Sequence, residues 1–441
     1  MSLACGAECV VCVGCSRWIW KRCTYVGSYD SETWPPADPA EFEPVPRICR
    51  LILAVYEEDL ANPQFPPPGG YRLDPSCVVK RATYQQTGGR SPPYLIYTDH
   101  HNREIVFSIR GLNLRRESDY ALLLDNSLGM QMFDGGYVHH GLLKSAIWLL
   151  KQESETLAEI WKRCGEEYKM VFAGHSLGSG VAALMSVVVA NHGHWVGGIP
   201  RSKVRCYAVA PARCMSLNLA VKYADVVYSI VLQDDFLPRT ATPLEDIFSS
   251  VFCLPCLLFW VCLRDTFIPE GRKLRDPRRL YAPGRMFHII DRKFCRCGRF
   301  PPAVRTAIPV EGRFEHIVLS CNASSDHAIL WIEKESQKAV DLMKEGTEAA
   351  PPATQRMERM ERKETLAEEH KAALVRAVTL KIPHAVAPPE GPSGAAEETA
   401  ASDAAGPRPT GKPNWEQLVQ KLFDKGPSGA LILKKDIGTS S

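Results

Sequence analysis

One stretch of this chain has the spacing of a nucleophile. Residues 169–190 read KMVFAGHSLGSGVAALMSVVVA. An apolar run meets Gly174, His175, Ser176, Leu177 and Gly178, and small and apolar residues follow at once. G-x-S-x-G between a strand and a helix forms a tight elbow that exposes the serine hydroxyl. The flanking glycines Gly174 and Gly178 let strand and helix meet without side-chain clashes. The helix start brings free N–H groups and the positive end of a dipole beside a developing oxyanion. The chemistry such a turn serves is attack of Ser176 on an acyl carbonyl. An idle serine in a glycine-rich turn is the plain alternative. The strand before it and the small-residue helix after it speak against that.

A serine hydroxyl is a poor nucleophile on its own and needs a base that a carboxylate orients. After an elbow of this kind the partners follow in the order acid, then histidine. Asp234 and Asp235, in YSIVLQDDFLPRT, are the acids at a strand end. Among the later histidines, His192 and His194 follow the elbow helix too closely to return to Ser176. His288 lies in RMFHII, which reads as a strand, and His316 opens an apolar run, EHIVLS. His327 lies in SCNASSDHAILWIEK, a loop leading into a helix, where a mobile base is expected.

These residues need a frame. Short apolar runs at 104–109, 169–173, 204–210 and 226–232 predict strands. Longer amphipathic patterns at 140–164, 179–191 and 327–344 predict helices. Strands alternating with helices of that length predict an α/β fold, with a mostly parallel central sheet and helices on both faces. Ligands on such sheets bind beyond the carboxyl ends of the strands, where Ser176 stands.

Composition sets the outer bounds. The chain has 441 residues, 45% of them hydrophobic, so a sizeable core is available. A formal net charge of +3 gives no electrostatic support for nucleic-acid binding. No apolar run reaches the length of a spanning helix. The start, MSLACGAECVVCVGC, lacks the basic region of a secretory signal. The expected location is therefore cytoplasmic, with reduced thiols. Residues 1–45 form a Cys-rich segment with membrane-contact character, and 46–345 hold the catalytic domain. Residues 346–412, rich in Ala, Pro, Glu and Gly, read as a mostly disordered linker. Residues 413–441 read as a short amphipathic end.

The motifs together resemble the class 3 lipases, in the plant branch with a mono-/diacylglycerol lipase N-terminal segment. GHSLGSGVAAL resembles the family's nucleophile block. DDFLPR resembles its acid block and selects Asp235, while SSDHAI resembles its Asp-His block and selects His327. RRLYAPGRMFHII resembles a block of the sn-1 diacylglycerol lipases, with Ala282 in place of a proline. IVFSIRGLNL resembles the block whose residue after the glycine, here Leu112, supplies an oxyanion donor. The family hydroxyl is missing at Leu112, which leaves the backbone N–H.

The resemblance implies an α/β-hydrolase fold and a Ser176–Asp235–His327 triad. It implies an oxyanion hole from the N–H groups of Leu177 and Leu112, and mono- or diacylglycerol substrates. No metal or organic cofactor is required. Residues 118–137, with Leu, Met and Phe interrupted by Gly, read equally as a lid or a plain connector. Relatives that bind calmodulin imply a second possibility, a membrane-associated, calcium-signalling scaffold with weak or no lipase activity. Its target helix is either 371–382 or 414–423, both amphipathic. The Cys-rich segments 5–23 and 251–263 carry Trp18, Trp20 and Trp260, suited to a membrane surface. Cys5, Cys9, Cys12 and Cys15 are candidates for acylation, with buried thiols and a zinc site as the alternatives.

Overall fold

The strands of this chain alternate between two apolar faces, and both faces require cover. In the computed structural model, Met170 and Phe172 of one strand enter one core cluster, and Val171 and Ala173 enter another. The structure describes residues 25–113, 116–125, 131–239, 279–292, 300–311, 313, 314, 318, 320–347, 368–382, 423–425 and 431–433.

Eight strands form the main sheet: β1 (Val78–Ala82), β2 (Tyr94–Asp99), β3 (Glu104–Ile109), β6 (Lys169–His175), β7 (Val204–Val209), β8 (Val227–Leu232), β9 (Arg285–Ile290) and β10 (Ala303–Ala307). They lie side by side in that order. β3, β6, β7, β8 and β9 run parallel, whereas β1, β2 and β10 pair antiparallel at the two edges. A small hairpin, β4 (Gln131–Phe133) with β5 (Gly136–Val138), stands apart between β3 and β6. Parallel neighbours need crossovers, and among the described residues helices supply those from β3 to β6, β6 to β7 and β7 to β8.

Helix α1 (Val45–Ala54) opens with Pro46 in its first turn, where the missing N–H costs nothing. Nearly all its residues are buried, because α7 (Ile329–Thr347) packs on it from outside. Together they cover the face that carries Val171 and Ala173. The other face is covered by α3 (His140–Cys164), α4 (Leu177–Asn191) and α5 (Leu217–Lys222). Helix α2 (Glu117–Leu124) lies beside α3, and the short α6 (Ala323–His327) precedes α7. This is the α/β architecture expected from the alternation of strands and helices, in the α/β-hydrolase arrangement that the resemblance implies. Element bounds move slightly: the elbow helix starts at Leu177 rather than 179, and the last helical pattern splits at Ala328.

Within the segment 346–412, residues 368–379 form a helix, α8, where the sequence reads as an amphipathic helix at 371–382, and it docks on the domain. Ala373, Ala377 and Ile382 are buried in the cluster that includes Val226, Val227, Ile308 and Val310. Glu369 pairs with Arg285 at 2.7 Å and accepts from the N–H of Ile308. The amphipathic pattern at 371–382 shows the helix, but not that its alanines allow close approach to the domain. Burying Ile382 alone stabilises the dock by roughly 1.5–3 kcal/mol. At the C-terminal end, Phe423–Lys425 pairs antiparallel with Leu431–Leu433. The rest of the 413–441 segment lies outside the described residues.

Among the described residues no helix is long and apolar enough to cross a membrane. The Cys-rich segments 5–23 and 251–263, with Cys5, Cys9, Cys12 and Cys15, lie outside the described residues.

The docked helix gives a direct test. Ala377→Asp places an unpaired carboxylate in the cluster and should release α8. Trypsin should then cut at Lys371, Arg376 and Lys381 in the variant while sparing these sites in the wild type. Equal cleavage in both proteins would mean α8 does not dock.

Candidate active site

β6 ends at His175, α4 begins at Leu177, and Ser176 alone joins them. Its backbone sits at φ 54° and ψ −120°, a conformation that residues with a side chain rarely adopt. Holding it there costs on the order of 1–3 kcal/mol. The N–H of Ser176 donates to Val209 on β7 at 3.0 Å. Its carbonyl accepts from the Ser179 hydroxyl, which in turn accepts from the N–H of Ala212 at 3.0 Å. The turn tolerates no bulk. A Cβ on Gly174 would lie 2.2 Å from the carbonyl oxygen of Gly178, and one on Gly178 would lie 2.3 Å from that of Arg110. The same approach seats the end of β3 against the elbow.

The loop after β8 and the end of α6 meet Ser176 from the other side. His327 is the last residue of α6, and Ala328 turns extended before α7 begins. The His327 Nε2 lies 3.0 Å from the Ser176 hydroxyl, and its Nδ1 lies 2.9 Å from Asp235 Oδ1. Asp235 accepts only hydrogens, so Nδ1 carries the proton and Nε2 presents its lone pair to the serine. Asp235 is fully buried and also accepts from the N–H of Leu237 at 3.0 Å. Ser176 and His327 keep slight exposure, at 8% for the serine and 18% for the imidazole side chain. A substrate can therefore reach them while the acid stays dry.

The other candidates sit elsewhere. Asp234 accepts from the N–H of Gly27 at 3.0 Å, and its own N–H donates to Asp326. Asp326 also pairs with the buried Arg292. His288 is a core residue that accepts from Ser31 and donates to the carbonyl of Gln233. His192 and His194 stack edge-to-face on each other just past α4. His316 lies outside the described residues.

Leu177 opens α4, so its N–H has no acceptor within the helix. Leu112, half-buried, follows Gly111 at the end of β3. Of the segment read as lid or connector, the described parts are anchored. Asp119 of α2 accepts from the Tyr84 hydroxyl and the N–H of Asn113, and Phe133 and Val138 of the hairpin belong to the core. Residues 126–130 lie outside the described residues.

Sequence reasoning missed Tyr56. Its hydroxyl accepts from the N–H of Gly111 at 2.8 Å and donates to His175 Nδ1 at 2.8 Å. His175 Nε2 donates to the carbonyl of His327 at 2.8 Å. The only signal was its place at the end of an apolar helical stretch, which does not point to a site far along the chain.

Residues 106–245 match the family described as Lipase (class 3), and residues 6–73 match the Lipase 3 N-terminal region. Over these residues the chain is similar to the class 3 lipases. The class 3 lipase match contains Ser176 and Asp235, and the N-terminal match contains Tyr56. Diacylglycerol lipase-beta of Mus musculus is 28% identical over 162 residues, which cover 35% of this chain and 23% of that protein. Diacylglycerol lipase-alpha of Homo sapiens is 27% identical over 156 residues, 33% of this chain and 14% of that protein. The match thus spans a quarter or less of the length of these relatives. A solved Rhizomucor miehei lipase in complex with its propeptide is 14% identical, with a TM-score of 0.44, covering 66% of this chain and 81% of that one.

The buried groups of this domain set its response to acid. Burial pushes His175 and His288 down to about 3. Burial also raises Asp326 to about 7, against the pull of Arg292. Below pH 6.5 unfolding lets each histidine take up a proton, whereas Asp326 gives one up. Among the groups that burial moves this far, two against one leaves net uptake. Stability is therefore fullest above pH 6.5 and falls as pH drops toward 3. The slope is about 1.4 kcal/mol per pH unit for each net proton. Urea midpoints should fall in the order pH 7.5, 6.0, 5.0. A flat or rising series would contradict two neutral buried histidines.

Proposed function

We propose that this chain is a serine lipase that hydrolyses acyl esters of mono- and diacylglycerol-type lipids. Ser176 is the nucleophile, His327 the general base and Asp235 the acid that orients it. The observation that carries this reading is the unbroken hydrogen-bond line from the Ser176 hydroxyl through His327 to Asp235. Ser176 attacks the ester carbonyl as His327 Nε2 takes its proton. Asp235 holds the ring in that tautomer and stabilises the imidazolium. The N–H groups of Leu177 and Leu112 receive the oxyanion. The glycerol oxygen leaves with the proton from His327. Water, activated by the same base, then attacks the acyl-enzyme and releases the fatty acid. These steps use only the chain's own groups and water.

The likeness to diacylglycerol lipases supports acylglycerols over phospholipids or galactolipids as substrate. Calmodulin binding at 371–382 would first have to undock Ala373, Ala377 and Ile382, which weighs against that stretch as a target. The lipid lies in a membrane, and the segments 5–23 and 251–263 supply the contact. A single acyl chain anchors only marginally, so two modified cysteines, or one plus an apolar segment, are needed. Hydroxylamine should release the protein from membranes, and replacing Cys5, Cys9, Cys12 and Cys15 with Ser should shift it to the soluble fraction. An unchanged distribution in both experiments removes the acyl anchor.

Ser176→Ala and His327→Ala should each lower kcat on diacylglycerol by about 10⁴-fold or more, without loss of folding. Asp235→Asn should cost about 10⁴-fold. A fluorophosphonate probe should label the wild type and not Ser176→Ala. His316→Ala should keep most of the activity. If His316→Ala is inert and His327→Ala is active, the base is misassigned.

A further inference from the structure

We propose that Tyr56 and His175 are positioning residues, a part-buried bridge that ties the oxyanion strand, the nucleophile elbow and the base into one unit. The proposal rests on the lipase reading above.

The donors fix the direction of the bridge. The N–H of Gly111 can only donate, so the Tyr56 oxygen accepts there at 2.8 Å. The Tyr56 hydrogen is then free for His175 Nδ1, also at 2.8 Å. That leaves the ring proton of His175 on Nε2, which donates to the carbonyl of His327 at 2.8 Å. One tautomer satisfies all three bonds. Burial keeps the imidazole in its neutral form and pushes the Tyr56 hydroxyl up to about 12, so neither end of the bridge gains or loses a proton at working pH. The fit is close: a Cβ on Gly111 would lie 2.5 Å from the Tyr56 oxygen. Tyr56 is itself held at the end of α1, where its N–H donates to Leu53, and the Arg110 guanidinium lies 4.8 Å from the centre of its ring.

The bridge has consequences for each part it joins. It occupies the N–H of Gly111 and so orients the peptide that carries the next N–H, that of Leu112. It pins the carbonyl of His327 where the chain breaks between α6 and α7. It does both from His175, next to Ser176. Its effect belongs to the transition state, when the oxyanion forms, rather than to substrate binding.

The test uses the full chain and diacylglycerol in mixed micelles. Tyr56→Phe keeps the ring and deletes the hydroxyl. It should lower kcat by roughly ten- to a hundredfold and leave KM within about twofold, since only an interaction made in the transition state is lost. The inhibition constant of a trifluoromethyl ketone, which mimics the tetrahedral state, should rise in parallel with the loss in kcat/KM. His175→Gln should show the same split, and the double variant should cost no more than the larger single, as expected of a unit. Multiplying losses, or a Tyr56→Phe enzyme equal to wild type, would overturn the bridge. Hydrogen exchange across 105–113 gives a reading free of activity. It should quicken in Tyr56→Phe made on the Ser176→Ala background, and unchanged exchange counts against the bridge. An inert wild type would instead refute the lipase reading, with the exchange result still standing for the bridge.

Discussion

A serine held at φ 54° is the constraint around which the molecule is arranged. The conformation is unfavourable in isolation, so it persists only where its neighbours over-determine it. The first determinant is the sheet: β7 must lie parallel to β6 and extend far enough for Val209 to accept from Ser176. The second is the helix behind it, whose first turn must approach both β6 and β3. That approach excludes any side chain at Gly174 or Gly178. The third is the covering of both sheet faces, which makes the parallel strands stable at all. Apolar patterning along the whole domain thus ends in the torsion angles of one residue.

The polar part of the site depends on a region far away in sequence. Residues 25–56 lie against the base and acid loops through a series of buried contacts. Gly27 donates to Asp234, Ser31 to His288, and Asp30 pairs with Arg239 directly after the acid loop. Arg50 on α1 meets Glu333 on α7 at 2.6 Å, with both side chains almost fully buried. Breaking such a pair by removing one partner typically costs about 3–5 kcal/mol, more than the pair itself contributes. This stretch therefore belongs to the domain's structure and is no appendage to it.

The frame and the reacting side chains were legible because each leaves a local signature. A strand-to-helix switch around G-x-S-x-G, two acids at a strand end and a histidine before a helix are patterns within a few residues. The sequence alone left Asp234 beside Asp235 and offered three later histidines, since a carboxylate's direction is set by backbone turns and not by its type. Hydrogen bonding separates the two buried acids: Asp235 turns to His327, and Asp234 turns to Gly27. Tyr56 was illegible for a different reason. Its partners are 55 and 119 positions away, and nothing in local spacing encodes such a meeting. The docking of α8 was hidden by composition, because three small or apolar contacts settle it within a long polar stretch.

Helix α8 also changes what competition for this protein means. Twenty residues, 348–367, join it to the end of α7. Such a length spans at most roughly 70 Å, so the helix never leaves the neighbourhood of its own dock. A connection of that length keeps the local concentration of the helix at its dock high. Val375 and Val378 stay exposed while Ala373, Ala377 and Ile382 face inward. A partner that reads only the outer stripe meets no rival. A partner that wraps the whole helix must outbid a permanently present intramolecular ligand, and its apparent affinity falls by the fraction of time the helix is free.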